Sequence, residues 1–160
     1  MKISTKTRYG MRFMIDLAQH ADEGCVALKD VAARQGISKK YLEQVVAPLS
    51  SAGLLRVTRG YAGGYELARP PEEITLADVV SASEDGLELL DCMSGLFACE
   101  RQEGCLSQRI WGGLQQAMFD FLDGMTLADV AAETPGTERA EEAQGMAEVA
   151  KAQPAERAGA

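Results

Sequence analysis

Histidine, aromatic residues and long apolar runs are all scarce in this chain of 160 residues. No stretch is apolar for the roughly 20 residues that a bilayer-spanning helix needs, so membrane insertion is not expected. The start, Met1-Lys2-Ile3-Ser4-Thr5-Lys6, is basic but leads into an amphipathic segment without an apolar block. That pattern argues against a secretory signal and for a cytoplasmic protein. One histidine, His20, and no Ser/His/Asp set leave little room for ordinary catalysis. Aromatic residues make up only 6%, against 46% hydrophobic residues in all, which is enough for a modest core in one domain.

Positive charge is scarce overall, with 16 Lys and Arg against 24 Asp and Glu, but it is unevenly spread. Residues 1–69 hold eleven basic against six acidic side chains, whereas residues 70–160 hold five against eighteen. A basic front half on an acidic protein fits contact with a polyanion through one end.

That front half has a readable order. Tyr9, Phe13 and Leu17, with Met14 and Ala18 beside them, recur at helical spacing between Thr5 and His20, and Lys6, Arg8 and Arg12 lie near the start. Leu28, Val31 and Ala32 make a second, shorter apolar face. Gly36 then supplies a turn, Ile37 plugs the corner, and Ser38 caps a helix with Leu42, Val45 and Leu49 inward. Pro48 is expected to kink or end that helix. Its outer N-terminal end carries Ser38, Lys39, Lys40, Tyr41, Glu43 and Gln44. Lysines there suit phosphates, and Glu43 or Gln44 can reach base edges.

Two short strands, residues 54–58 and 65–67, flank the glycine-rich loop Arg59-Gly60-Tyr61-Ala62-Gly63-Gly64. A hairpin after a helix-turn-helix makes a wing, with Arg59 placed for a narrow minor groove. No Lys-Ser/Thr pair follows the glycines, so a nucleotide-binding loop is not expected. The fold class is therefore mainly α with a small β-hairpin, a winged helix-turn-helix. Its expected segments are a DNA-binding head (1–70), a connecting helix (71–90), a cysteine loop (91–108), a long helix for pairing two copies with a short cap (105–132), and a disordered acidic tail (133–160). The connecting helix opens with Thr75 and Asp78 as a capping box, and Thr126 with Asp129 repeats it. The two are expected to be independent. Leu106, Ile110, Leu114, Ala117, Met118, Phe121 and Leu122 line the long helix, with Trp111 at its flank, and a second copy or the chain's own domain can cover them.

Three of the four cysteines, Cys92, Cys99 and Cys105, fall in one short loop with spacings of six and five residues between them. Soft thiolates at these intervals can converge on an iron–sulfur centre or zinc, although zinc knuckles use shorter gaps. In a reducing compartment clustered thiols point to metal or redox sensing rather than disulfides. Cys25 stands apart, and burial as a small hydrophobe is expected for it.

The chain resembles the IscR family of iron–sulfur transcription regulators, with NsrR and RirA among its relatives. The resemblance runs from Met1 to about Val130. It rests on residues 2–10 (KISTKTRYG), 34–38 (RQGIS) and 41–44 (YLEQ), on Arg59-Gly60 with Gly63-Gly64-Tyr65, on the three cysteines, and on the Trp111 helix. It implies a homodimer with crossed long helices, and a 2Fe–2S or 4Fe–4S cluster held by Cys92, Cys99 and Cys105 near the partner's reading head. It also implies that Ser38, Tyr41, Glu43 and Gln44 face the major groove and Arg59 the minor groove, with Glu43 helping to discriminate between operators. Two positions depart from the pattern. Gln108 stands where IscR-type proteins carry a histidine, and Arg8 stands where NsrR-type proteins carry an acidic ligand. Gln108, Glu100 and Glu103 are the local candidates for a fourth ligand. The expected function is a cluster-controlled repressor. The alternatives are a cluster-free thiol- or partner-controlled repressor, or a small electron-transfer or cluster-carrier protein.

Overall fold

The computed structural model describes residues 3–60, 63–84, 89–90 and 104–132. The elements, in order, are α1 (Thr5–Gln19), a short 3-10 turn, α2 (Leu28–Gln35), α3 (Lys39–Ser51), β1 (Leu55–Thr58) and β2 (Gly64–Leu67), followed after a second 3-10 turn by α4 (Leu76–Ser83), α5 (Leu106–Asp123) and α6 (Leu127–Ala131). The expected winged helix-turn-helix is what forms. The cysteine loop at Cys92 and Cys99, the wing residues Tyr61 and Ala62, and the acidic tail lie outside the described residues.

Helices α1, α3, α4 and α6 start where a side chain replaces a missing backbone partner. The Ser4 hydroxyl accepts from the Thr7 N–H, and the Ser38 hydroxyl from the Tyr41 N–H. Helix α2 stops at Gly36, whose φ of 63° is left-handed and suits glycine. Ile37 then turns inward at the corner, as its position in the turn requires. Phe13, Met14, Val31, Leu42, Val45 and Leu49 are fully buried and form one core.

Pro48 does not end α3, which continues to Ser51. Proline removes only one helical bond, and Leu49 one residue later is held at 0% exposure in the core. Packing outweighs the local defect.

β1 and β2 pair antiparallel, Leu55 opposite Leu67 and Thr58 opposite Gly64. Val26 bridges β2 from outside the hairpin by exchanging two backbone hydrogen bonds with Tyr65, at 3.0 and 2.9 Å. The approach is close: a β-carbon on Gly64 would stand 2.4 Å from the Val26 carbonyl oxygen. Only glycine fits there.

The two capping boxes form as expected, but they are not independent. Thr75 and Thr126 face each other in an antiparallel bridge. The Leu76 N–H donates to the Met125 carbonyl and the Leu127 N–H to the Ile74 carbonyl, both at 2.9 Å. The repeated Thr-Leu-Ala-Asp-Val is thus two matched strand ends, each capping its own helix after pairing with the other. The pairing brings α6 onto α1 and buries Leu127 completely in the core beside Ile74 and Val79.

Helix α5 rests on α4. At ~1.5 Å per residue its 18 residues extend about 27 Å. No helix among the described residues is long and apolar enough to cross a membrane.

Candidate functional site

The first turn of α3 presents an exposed polar face. Ser38, Lys39, Lys40, Glu43 and Gln44 are exposed and Tyr41 is half-buried, while Leu42, Val45 and Val46 behind them are sealed. The helical period makes this division: the apolar positions face the core and the polar positions between them face outward. Lys39 Nζ lies 3.9 Å from Glu43 Oε1, so part of the Glu43 charge is neutralised within α3. The Ser38 hydroxyl accepts from Tyr41, which leaves its proton free to donate outward. Arg59 is exposed at the edge of the wing. An open groove runs between α3 and the wing, with Lys29, Lys39, Glu43, Thr58 and Gly60 along it. Of the seven expected DNA-facing residues, Lys39 and Glu43 line this groove together with Thr58 and Gly60 of the hairpin.

Behind this face is a polar network that sequence reasoning did not find. Asp16 is 2% exposed, although it carries a carboxylate. Arg34 Nε lies 3.2 and 3.1 Å from its two oxygens, and Gln35 Nε2 donates at 2.8 Å. The hydrogen bond to Asp16 is the main cause that raises the Arg34 pKa, with burial opposing it. Because the Gln35 amide nitrogen faces Asp16, its oxygen faces the other way and accepts from Arg12 Nε at 2.9 Å. A second Arg12 nitrogen donates to the Gln35 backbone carbonyl, also at 2.9 Å. The available signal was an aspartate within the apolar stripe of α1, three residues after Phe13 and one before Leu17. Buried charges need partners, and Arg34-Gln35 at the end of α2 supplies them.

Of the thiols, Cys105 is described. It is the N-cap of α5, half-buried and without a side-chain capping bond. Gln108 lies one turn further on, also half-buried. Cys92, Cys99, Glu100 and Glu103 lie outside the described residues, and among the described ones no group of three or more possible metal ligands comes together. Cys25 departs from expectation. It is only partly buried, and its Sγ donates to Glu66 Oε1 at 3.0 Å, because the turn before Val26 faces β2. Arg8 lies over the Tyr9 ring, 5.2 Å from its centroid.

Glu84, the C-cap of α4, reaches back to the start of α1. Its Oε1 accepts from the Ser4 N–H at 2.8 Å and from the Thr7 hydroxyl at 2.6 Å. Burial pushes this carboxyl up, but the bonds from Thr7 and Ser4, with the Lys6 charge, hold it below its ordinary value. Further along the chain, still before the cysteine loop, the Leu89 N–H donates to the Gln115 side chain of α5 at 3.1 Å.

Known proteins resemble this arrangement along nearly its whole described length. The sequence model of the Rrf2 family, described as an iron-dependent transcriptional regulator, matches residues 3–133. Protein rrf2 of Nitratidesulfovibrio vulgaris is 43% identical over 130 residues, covering 81% of this chain and 87% of that protein. The structure of CymR, the global cysteine regulator of B. subtilis, superposes with a TM-score of 0.72 at 37% identity, covering 84% of this chain and 98% of that one. The structure of T. potens IscR superposes at 0.65 with 40% identity, covering 90% and 91% respectively. With a DNA-binding winged helix-turn-helix head and a match that spans most of its length, the chain belongs to the Rrf2 family of transcription regulators.

Proposed function

We propose that this regulator is a homodimeric repressor whose operator affinity is set by an iron–sulfur cluster bound to Cys92, Cys99 and Cys105. The observation that carries the reading is the position of Cys105. The last of three clustered thiols caps a helix that runs from the loop to the return of the chain onto the head. The donor set suits the group: three soft thiolates, with Gln108 one turn away from Cys105 as candidate for the open position. When bound, the group supplies soft iron sites that oxygen, nitric oxide or cluster demand can alter.

The chain's own residues would convey that state. An anionic ligand set at Cys105 sits at the positive end of the α5 dipole. Ordering of residues 91–108 fixes the direction of α5 relative to α4, on which it packs, and Gln115 of α5 already holds Leu89 just before that loop. Glu84 links the near side of the same loop to α1 of the head. In a dimer paired through α5, these links set the angle between two α3 helices. Their affinity for half-sites about one helical turn apart follows from that angle. In this reading Lys39 and Lys40 take phosphates, Ser38, Tyr41, Glu43 and Gln44 line the major groove, and Arg59 enters the minor groove.

The test is anaerobic reconstitution. A visible absorption band with bound iron and sulfide is expected, lost in Cys92→Ala, Cys99→Ala and Cys105→Ala and kept in Cys25→Ala. A colourless, iron-free wild type would end the reading. The second reading, a cluster-free regulator, draws on the likeness to CymR and on Gln108 and Arg8 standing where related proteins carry a fourth ligand. It requires operator affinity that follows peroxide or a bound partner in metal-free protein.

A further inference from the structure

We propose that the open groove between α3 and the wing seats the sugar-phosphate strand dividing the major groove from the adjoining minor groove. Lys29 of α2 and the Thr58 hydroxyl are its phosphate contacts. The proposal rests on the DNA reading of α3 and Arg59 given above and adds a contact from α2, to which that reading gives no role.

Backbone pairing fixes how far apart the sides of this groove stand. Val26, which leads into α2, exchanges two hydrogen bonds with Tyr65 of β2 at 3.0 and 2.9 Å. Thr58, at the end of β1, is paired with Gly64 of the same strand. The start of α2 and the end of β1 are thus both tied to β2, without help from side chains. Gly64 lines the groove with no side chain of its own, and its approach to Val26 leaves no room for one. Lys29 follows three residues after Val26 and is exposed, as is Thr58. The charge along the groove is positive. Glu43 is the one carboxylate among its lining residues, and it stands 3.9 Å from Lys39. Lys29 has no carboxylate within ion-pair distance among the described residues.

The position of the groove specifies the anion. A helix in the major groove and an arginine in the adjoining minor groove stand on either side of one sugar-phosphate strand. Whatever part of the protein lies between them meets that strand, and here it is this groove. A lysine ammonium serves one phosphate as a point charge, and a threonine hydroxyl can donate to its neighbour. Because the backbone of α2 and of the hairpin is already tied together, little has to be ordered on binding, which lowers the cost of the contact. The competing occupant is a second copy of the chain. Against it, α5 packs on α4, and neither of these helices nor α1 lines the groove.

The experiment uses the full chain with Lys29→Gln, Lys29→Arg and Thr58→Val, each checked for its fold by circular dichroism and for pairing by sedimentation. Fluorescence anisotropy follows binding to a duplex that the wild type selects from a random pool, over a series of salt concentrations. Each lost phosphate contact should lower the slope of log affinity against log salt by about 0.9, so Lys29→Gln in both heads of a dimer should lose about 1.8. Lys29→Arg should keep the slope, and Thr58→Val should weaken binding without changing it, since its contact is uncharged. Duplexes with single phosphates replaced by uncharged methylphosphonates then locate the contact. Replacement in the strand between the bases read by α3 and the adjoining minor groove should weaken the wild type and leave Lys29→Gln as it was. An unchanged slope in Lys29→Gln overturns the proposal, as does coupling to a phosphate elsewhere on the duplex. Loss of pairing in Lys29→Gln overturns it too and assigns the groove to the second copy. A wild type that binds no duplex would instead remove the DNA reading itself, and the seat with it.

Discussion

Helices α3 and α5 carry apolar stripes of similar composition and treat them in opposite ways. In α3, Leu42, Val45 and Leu49 are 0% exposed, sealed by α1, α2 and α4. In α5, Leu106, Ile110 and Phe121 stand 75%, 70% and 65% exposed, with Trp111, Leu114 and Phe119 also open to water. Only Met118 and Leu122 of the stripe turn partly inward. An apolar surface of this kind on a folded chain marks an interaction site. The head is complete within one copy; α5 is not, and regulators of this fold typically pair.

The comparison is sharpest where a substitution on one helix should do what the same substitution on the other does not. Leu42→Ala removes a sealed side chain and should cost about 2–5 kcal/mol in urea unfolding. Ile110→Ala should cost the isolated chain less than about 0.5 kcal/mol, since its side chain is already wet. If the two cost the same, the contrast between the helices is wrong. Next in size is Ile110→Glu combined with Phe121→Glu. It should leave the fold intact while sedimentation moves from two copies to one and duplex affinity drops at least about tenfold, through loss of the second head. A paired variant would mean that α5 is covered some other way.

Smaller effects come from the joint between the two regions. Thr75→Ala and Thr126→Ala should each cost about 1 kcal/mol by removing a cap, measured by thermal unfolding. Because the caps share one bridge, the double variant should depart from additivity, and strict additivity would separate them again. The smallest effect belongs to Glu84. Its folded value lies below its ordinary 4.5, so between those values the unfolded chain binds more protons and stability rises with pH. The contribution is full above 4.5 and is lost as pH falls through the folded value. Glu84→Gln should flatten stability against pH in that acid range by well under ~1 kcal/mol, since water reaches the group. An unchanged acid profile would detach Glu84 from α1.

Much of the head was legible because its signals are local. Ser38, Gly36 and the spacing of Leu42, Val45 and Leu49 each act within a turn or two of chain, and the structure follows them. Pro48 was expected to kink or end α3 and does not end it, since its local defect is outweighed by packing that no short window contains. The Asp16 network and the role of Leu127 in the head's core join distant parts of the chain, so no spacing announces them. The duplicated Thr-Leu-Ala-Asp-Val was visible as a repeat, yet its meaning lies in backbone pairing across some fifty residues. Of the proposed cluster site only Cys105 can be placed, because Cys92 and Cys99 lie outside the described residues.

That pairing has a consequence for how such proteins can diversify. Thr75 and Thr126 bring the chain back to the place it left, and α4 packs into the head's core, so the stretch from Glu84 through α5 is an excursion with both ends anchored on the head. The entropy of closing such an excursion grows slowly, by about 0.6 kcal/mol for each doubling of its length. Residues can therefore be gained, lost or exchanged between Glu84 and Cys105 with little effect on the folding of the DNA-reading part. One head can in this way carry many different excursions while α3 stays as it is.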